Sequence, residues 1–220
     1  MQPARIAELL APFLAPAKDV SEAAASTAVV DLNRISTYID LLLRWNARVN
    51  LTAIRNEEEI VTRHFGESLF AARQLFPDAS RKGARSSVAD VGSGAGFPGI
   101  PIKLWAPDIA LTLIESNHKK VAFLREVGRA LTLTDIDIQN VRAETLHRTF
   151  DVVTFRAVER FADTLPVAAK LLAPSGRLAV LISRAQIVQA WVASPQLVWE
   201  EVPIPVPESE IRVLLVAKRI

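Results

Sequence analysis

The sequence predicts an α/β fold: a mostly parallel sheet with helices on both faces, preceded by an N-terminal helical segment. Three observations predict it. From residue 86 onward, short apolar runs alternate with helix-period stretches, the pattern of parallel strands joined by helical crossovers. One apolar run leads directly into DVGSGAGFPG (90–99), where Gly92, Gly94, Gly96 and Gly99 form a strand–turn–helix corner. The first 80 residues carry helical periodicity alone.

The elements follow in order. MQPARIAELLAPFLAPAKD (1–19) reads as a short amphipathic helix and not a signal peptide, because Glu8 interrupts the apolar run and Pro12 and Pro16 punctuate it. A helix is expected over 21–46, with Ser21 as its N-cap and Val30, Ile35, Ile39, Leu42 and Leu43 on roughly one face. A second runs from about Glu57 to Leu75, stopping before Pro77; Glu57, Glu58 and Glu59 in its first turn complement the helix dipole. SVADVG (87–92) is the first strand and ALTLIE (110–115) the second, with a short helix at KLWAP (103–107) between them. NHKKVAFLREVGRAL (117–131) places Val121, Leu124, Val127 and Leu131 on one helical face. DIDIQ (135–139), DVVTF (151–155) and RLAVLI (177–182) are the third to fifth strands. The helix before the fifth should stop at Pro174-Ser175-Gly176, and another should span 184–193. LVWEEVP (197–203) and IRVLLVAK (211–218) are joined by too short a loop for a helical crossover, so they should pair antiparallel at one edge.

At 220 residues the chain suits one domain, with a helical cap over 1–80 and an α/β core over 86–220. Its 50% apolar and 23% charged composition is that of a globular protein. The absence of cysteine excludes a disulfide framework, a thiol nucleophile and a Cys-based metal site. No run of 18 apolar residues exists, so no transmembrane helix is expected and a cytoplasmic location follows. The net charge of +2 is spread along the chain. A local basic face would come from Arg44, Arg48, Arg55 and Arg63, with Arg81, Lys82 and Arg85 beside the glycine loop.

Gly94-Ala95-Gly96-Phe97-Pro98-Gly99 satisfies the dinucleotide pattern G-x-G-x-x-G, but that pattern alone does not fix the ligand. Asp90 stands two residues before the first glycine, a poor companion for a pyrophosphate and a good one for a cation. Pro98 removes a backbone N–H where phosphate donors are wanted. An adenosine bearing a sulfonium and an amino acid suits the loop better. Glu115, ending the second strand, is placed to accept hydrogen bonds from two ribose hydroxyls in either cofactor class.

WNARVNLTAI (45–54), RHFGESL (63–69), DVGSGAGFPGIP (90–101), ESNHKKVAFL (115–124) and FRAV (155–158) together resemble the bacterial small-subunit ribosomal RNA guanine-N7 methyltransferase G family, also called glucose-inhibited division protein B. The likeness runs from about residue 40 to 180 in the family's order and spacing. It implies a class I, Rossmann-like methyltransferase fold of seven strands with an antiparallel last strand. It further implies S-adenosyl-L-methionine as cofactor, and as substrate a guanine N7 of 16S ribosomal RNA, free or in the small subunit.

By motif position the cofactor residues would be Asp90, Gly92, Gly94, Gly96, Phe97, Glu115, Ala143, Glu144 and Arg156. Ala143 and Glu144 follow the third strand, where the adenine would sit, and Arg156 ends the fourth, facing cofactor and base. Arg156 and Arg142 are the catalytic candidates; Asn50, Arg63, His64 and Arg184 are the RNA-binding ones. Asn50 opens a formal glycosylation sequon, unusable without a signal peptide; it or Thr52 would otherwise cap the following helix. The family's usual lysine at the end of the fifth strand is absent: Ile182 stands there, with Arg184 two residues on; Arg184 would replace a lysine that binds RNA phosphate, whereas loss of a catalytic one would reduce activity.

The chemistry needs little acid–base machinery. Methyl transfer from a sulfonium is an in-line displacement, and the N7 lone pair of guanine is free at neutral pH, so no general base is required. The enzyme must align sulfur, methyl carbon and N7. Arg156 would donate to guanine O6 or a phosphate only, since bidentate contact would block N7. No metal is expected, and the chain is expected to be monomeric. Rival readings are a nicotinamide-dependent oxidoreductase, a methyltransferase of a small molecule or protein, and a ribosome-associated RNA binder that has lost catalysis.

Overall fold

A computed structural model describes residues 1–15, 30–77, 85–156, 161–205 and 212–219. The cap consists of α1 (Pro3–Leu14), α2 (Leu32–Asn46), α3 (Glu57–Glu59), a π-helical segment (Ile60–Gly66) and α4 (Glu67–Leu75). The core follows as β1 (Ser87–Val91), α5 (Gly99–Trp105), β2 (Ala110–Ile114), α6 (His118–Ala130), β3 (Ile136–Gln139), β4 (Phe150–Arg156), α7 (Phe161–Lys170), β5 (Leu172–Ser183), α8 (Ile187–Ala193), β6 (Leu197–Pro203) and β7 (Arg212–Arg219).

Among the described residues the strands form one seven-stranded sheet in the order β3-β2-β1-β4-β5-β7-β6. β1 to β5 run parallel, and β7 inserts antiparallel between β5 and β6. This is the expected architecture, closing hairpin included. The order reverses between β1 and β4, whose adjoining carboxyl ends make the crevice where ligands of such sheets bind.

Alternation along each strand divides the core. Val88, Leu111, Leu113, Val152, Ala179, Leu181 and Leu214 face one continuous cluster with Ile6, Phe13, Tyr38, Phe65, Leu69 and Phe123, so cap and sheet share a single core. The opposite face packs on α7 and α8 through Val153, Phe155, Phe161, Leu165, Val180, Ile182 and Ile187. α1 seats Ile6, Leu10 and Phe13 in the first cluster, its start favoured by Pro3 at the first helical turn.

Several elements differ from expectation. The helix expected over 21–46 begins at Leu32, because the Asp31 side chain accepts from the backbone N–H groups of Asn33 and Arg34 and sets the N-cap. Ser21 lies outside the described residues, as do Arg81 and Lys82. Tyr38 and Leu41 join the buried face of α2, while Leu43 is only partly buried. α5 starts at the loop's own Gly99, four residues before KLWAP. α7 ends at Lys170, so Pro174-Ser175-Gly176 falls within the range of β5, where the β4–β5 register shifts between Phe150 and Val152. A bulge, not a helix stop, uses these turn residues.

Candidate active site

The glycine loop is built from β1 outward. Gly92 and Ser93 donate their backbone N–H groups to the Ile114 carbonyl at the end of β2, and the Ser93 hydroxyl donates to the Asp90 carbonyl. Gly92, Gly94 and Gly96 have φ of 66°, 55° and 88°, the left-handed region in which glycine pays no Cβ penalty. The three do different work. Gly92 is exposed, and a Cβ on Gly94 would meet only the Gly92 carbonyl, at 3.7 Å, so this part of the loop offers open backbone to a ligand. A Cβ on Gly96 would run into the Tyr38 hydroxyl and, at 2.7 Å, Ile100, so Gly96 serves the packing of cap against loop. Gly99 is equally tight: a Cβ there would lie 2.7 Å from Asp90 Oδ2.

Asp90 is fully buried beneath the loop. Its Oδ2 accepts from the Gly99 N–H at 3.2 Å, while Oδ1 has no hydrogen-bond partner. Burial pushes its pKa up to about 7, against the lowering effect of the Gly99 and Ser93 hydrogen bonds. Thr154 is its register partner on β4, and the Thr154 hydroxyl is likewise buried and unpartnered. Glu115 accepts from the backbone N–H of Gly94 at 2.9 Å and of Asn117 at 2.8 Å, one on each carboxylate oxygen, and each oxygen keeps a lone pair. Open left-handed glycines and a strand-end acid fit S-adenosylmethionine: Gly92 and Gly94 would approach it closely and Glu115 would take hydroxyl hydrogens, whereas Asp90, expected beside the cation, lies beneath the loop and supports Gly99 instead.

Phe97 is gripped in an aromatic sandwich. Tyr38 stacks on one side, ring centroids 5.3 Å apart, and His64 on the other at 4.7 Å. The Tyr38 hydroxyl donates to the Ala95 carbonyl, fixing the loop to α2. His64 is buried and committed at both nitrogens. Arg156 Nη1 donates to Nδ1 at 2.7 Å, so the proton sits on Nε2, which lies 2.8 Å from the Thr52 hydroxyl. Burial first, then the charges of Arg156, Arg63 and Arg212, pull its pKa down to about 2, keeping it neutral.

Arg156 ends β4 and is buried against the cap. Its Nη2 pairs with Glu67 Oε2 at 3.0 Å, and burial pulls its pKa down to about 10. Glu67 is itself inaccessible and holds two further arginines, Arg63 at 3.1 Å and Arg212 at 3.3 Å. The π-helical segment makes this possible: its wider turn brings Arg63 and His64, with Glu67 at the head of α4, over the carboxyl end of the sheet.

The remaining candidates fall elsewhere. Arg142 and Glu144 are exposed, and Ala143 and Glu144 lie on a short 3-10 turn (Ala143–Thr145) after β3. Three of the four RNA-binding candidates are engaged within the protein. His64 is buried, Arg63 is paired with Glu67, and Arg184 is paired with Glu201. Ile182 faces the α7–α8 side of the sheet, so no cation stands in the place of the family lysine. Asn50 is exposed and caps nothing. Asn46 organises that loop instead, accepting from Leu51 and Thr52 and donating to the Thr52 carbonyl, while Asn56 caps α3. Arg44, Arg48 and Arg55 are exposed, and none pairs with a described carboxylate. Among the described residues no three metal-ligating side chains cluster, and no helix is long and apolar enough to cross a membrane.

Residues 31–194 match the family model for GidB, rRNA small subunit methyltransferase G. The ribosomal RNA small subunit methyltransferase G of Roseiflexus sp. (strain RS-1) is 39% identical over 203 residues, covering 86% of this chain and 83% of that one. Its counterpart in Xylella fastidiosa (strain 9a5c) is 37% identical over 188 residues, covering 82% and 85%. Among solved structures, magnesium protoporphyrin IX methyltransferase from Synechocystis PCC 6803, with bound SAH, superposes with a TM-score of 0.60 at 14% identity, covering 83% of this chain and 94% of that one. The ribosomal protein L11 methylase of Lactobacillus delbrueckii subsp. bulgaricus gives 0.57 at 16% identity, covering 70% and 79%; at such identities the likeness is one of fold. With three quarters of its length matched by the family model and relatives this similar, the chain belongs to the GidB family, rRNA small subunit methyltransferase G.

Proposed function

We propose that this S-adenosylmethionine-dependent rRNA methyltransferase transfers its methyl group to N7 of one guanine, with Arg156 facing the base. The observation that carries the reading is the juxtaposition at the sheet's switch point: open Gly92 and Gly94 in the loop after β1, Glu115 just after β2 and Arg156 at the end of adjoining β4. When bound, the cofactor supplies an electrophilic methyl on a sulfonium. Gly92 and Gly94 admit it by their missing side chains, and Glu115 orients its ribose.

The state of the ionisable groups agrees with an acceptor atom that carries no proton. His64 is neutral with both ring nitrogens engaged, and Asp90 is sealed under Gly99. Neither stands ready as a general base, and an N7 lone pair needs none. Arg156 keeps further N–H groups beyond those given to His64 and Glu67, enough to donate to guanine O6. The base must be unpaired or extruded to reach the crevice. Arg44, Arg48 and Arg55 then hold the RNA phosphates. Their segment is tied to the site through Asn46, Thr52 and His64.

Purified Arg156→Ala and Gly94→Leu are each expected to lower methylation at least about 100-fold while folding normally. Full activity in either, on small subunits lacking the modification, would remove that residue from the site.

A further inference from the structure

Glu67 is the residue of this site that the reaction's chemistry does not call for. It is a carboxylate with no exposed surface, and among the described residues three arginines from three elements converge on it: Arg63 from the π-helical segment, Arg156 from β4 and Arg212 from β7. With His64 neutral, the cluster holds one negative charge against three positive ones. Such an arrangement is a poor device for stability, since the desolvation of buried ions offsets much of their attraction. What it supplies is direction. A planar guanidinium gripped at Nη2 by Glu67 and at Nη1 by His64 is fixed both in position and in rotation. His64 is in turn locked by Thr52 and by its stack on Phe97, so one face of the frame is referenced to the glycine loop.

We infer that Glu67 is a positioning residue for methyl transfer, holding the Arg156 guanidinium at the angle from which it meets the target base. The inference rests on the role of Arg156 proposed above. Arg63 and Arg212 give the carboxylate two further cationic partners; Arg212 touches Glu67 without a hydrogen bond to His64, so its variant separates loss of an ion-pair partner from loss of aim.

The test is a mutant cycle on the full-length enzyme with Glu67→Gln, Arg156→Ala, the pair combined, and Arg212→Gln. Each is measured for melting temperature, S-adenosylmethionine Kd by calorimetry, and kcat and KM on small subunits lacking the modification. Glu67→Gln is expected to lower kcat by about 30-fold or more, with cofactor Kd and subunit KM within about threefold of the parent. Arg212→Gln is expected to melt lower yet keep kcat within about threefold, and Glu67→Gln is expected to change the residual rate of Arg156→Ala by less than about threefold. Glu67→Asp, which keeps the charge and shortens the reach by one methylene, replaces Glu67→Gln if that chain does not fold, and is expected at about a tenth of parental kcat.

Parental kcat in the Glu67 variant would overturn the inference. So would an Arg212→Gln enzyme slowed as much as Glu67→Gln, or additive losses in the double variant. A slowed but measurable Arg156→Ala with additive losses would defeat Glu67's role alone. A fully active Arg156→Ala would defeat the proposed role of Arg156, and this one with it.

Discussion

His64 and Asp90 are buried ionisable groups whose effects on stability oppose each other. His64, with its pKa pulled to about 2, stays neutral in the folded chain while the unfolded chain protonates below about 6.5, so its contribution is lost as pH falls. Asp90, pushed up to about 7, stays protonated in the folded chain while the unfolded chain ionises above about 3.8, so its contribution is lost as pH rises. Near pH 5 each slope approaches about 1.4 kcal/mol per pH unit, both flatten toward pH 6.5, and the two largely cancel. In cofactor-free protein, Asp90→Asn is therefore expected to lose stability on acidification across this window, and His64→Gln to gain it. Denaturant titrations at pH 5 and 6.5 check both; parallel behaviour of the two variants would contradict the assignment. At this scale the sequence made Asp90, Gly92, Gly94 and Glu115 legible, because each belongs to a local motif. Tyr38, Asn46, Glu67 and Arg212 were not, because their partners lie far along the chain and nothing local marks a mid-helix glutamate as buried.

Among the elements, the stretch from Glu57 to Leu75 shows most clearly what periodicity can and cannot give. Its apolar spacing reads as one helix, and one continuous helical rod is present. The pitch within it is invisible to that spacing, yet the π-helical turn is what places Arg63, His64 and Glu67 over β4. Pro174-Ser175-Gly176 misleads for the converse reason: turn chemistry marks a break in regularity without saying whether helix or strand is broken. α1 was legible as a helix but not as part of the core. Phe13 packs over Gly66, where a Cβ would lie 2.6 Å from its ring, so α1 braces the π-helical turn. Phe13→Ala is expected to cost about 3–5 kcal/mol in chemical denaturation. A loss below about 1 kcal/mol would mean that α1 does not hold this position in solution.

Across the described residues a mostly parallel sheet carries its chemistry at the carboxyl ends of its central strands β1 and β4, under a cap that is continuous with the core. Fold class and the closing antiparallel hairpin were readable because alternation and crossover length are chain-wide signals; the strand order and the ion pairs of Arg63 and Arg184 were not, because both are settled only by folding. Replacing Arg44, Arg48 and Arg55 together by glutamate is expected to weaken binding of small-subunit RNA and to reduce the slope of log affinity against log salt by about 2. Cofactor affinity should be unchanged, and an unaltered slope would place the RNA elsewhere. The central claim is methyl transfer to a guanine N7, and one measurement addresses it directly. The purified chain is incubated with tritiated S-adenosylmethionine and small subunits, or their deproteinised RNA, from cells lacking this modification. Label recovered as 7-methylguanine is the result predicted here; label on another nucleoside, or none despite measurable cofactor binding, would contradict it.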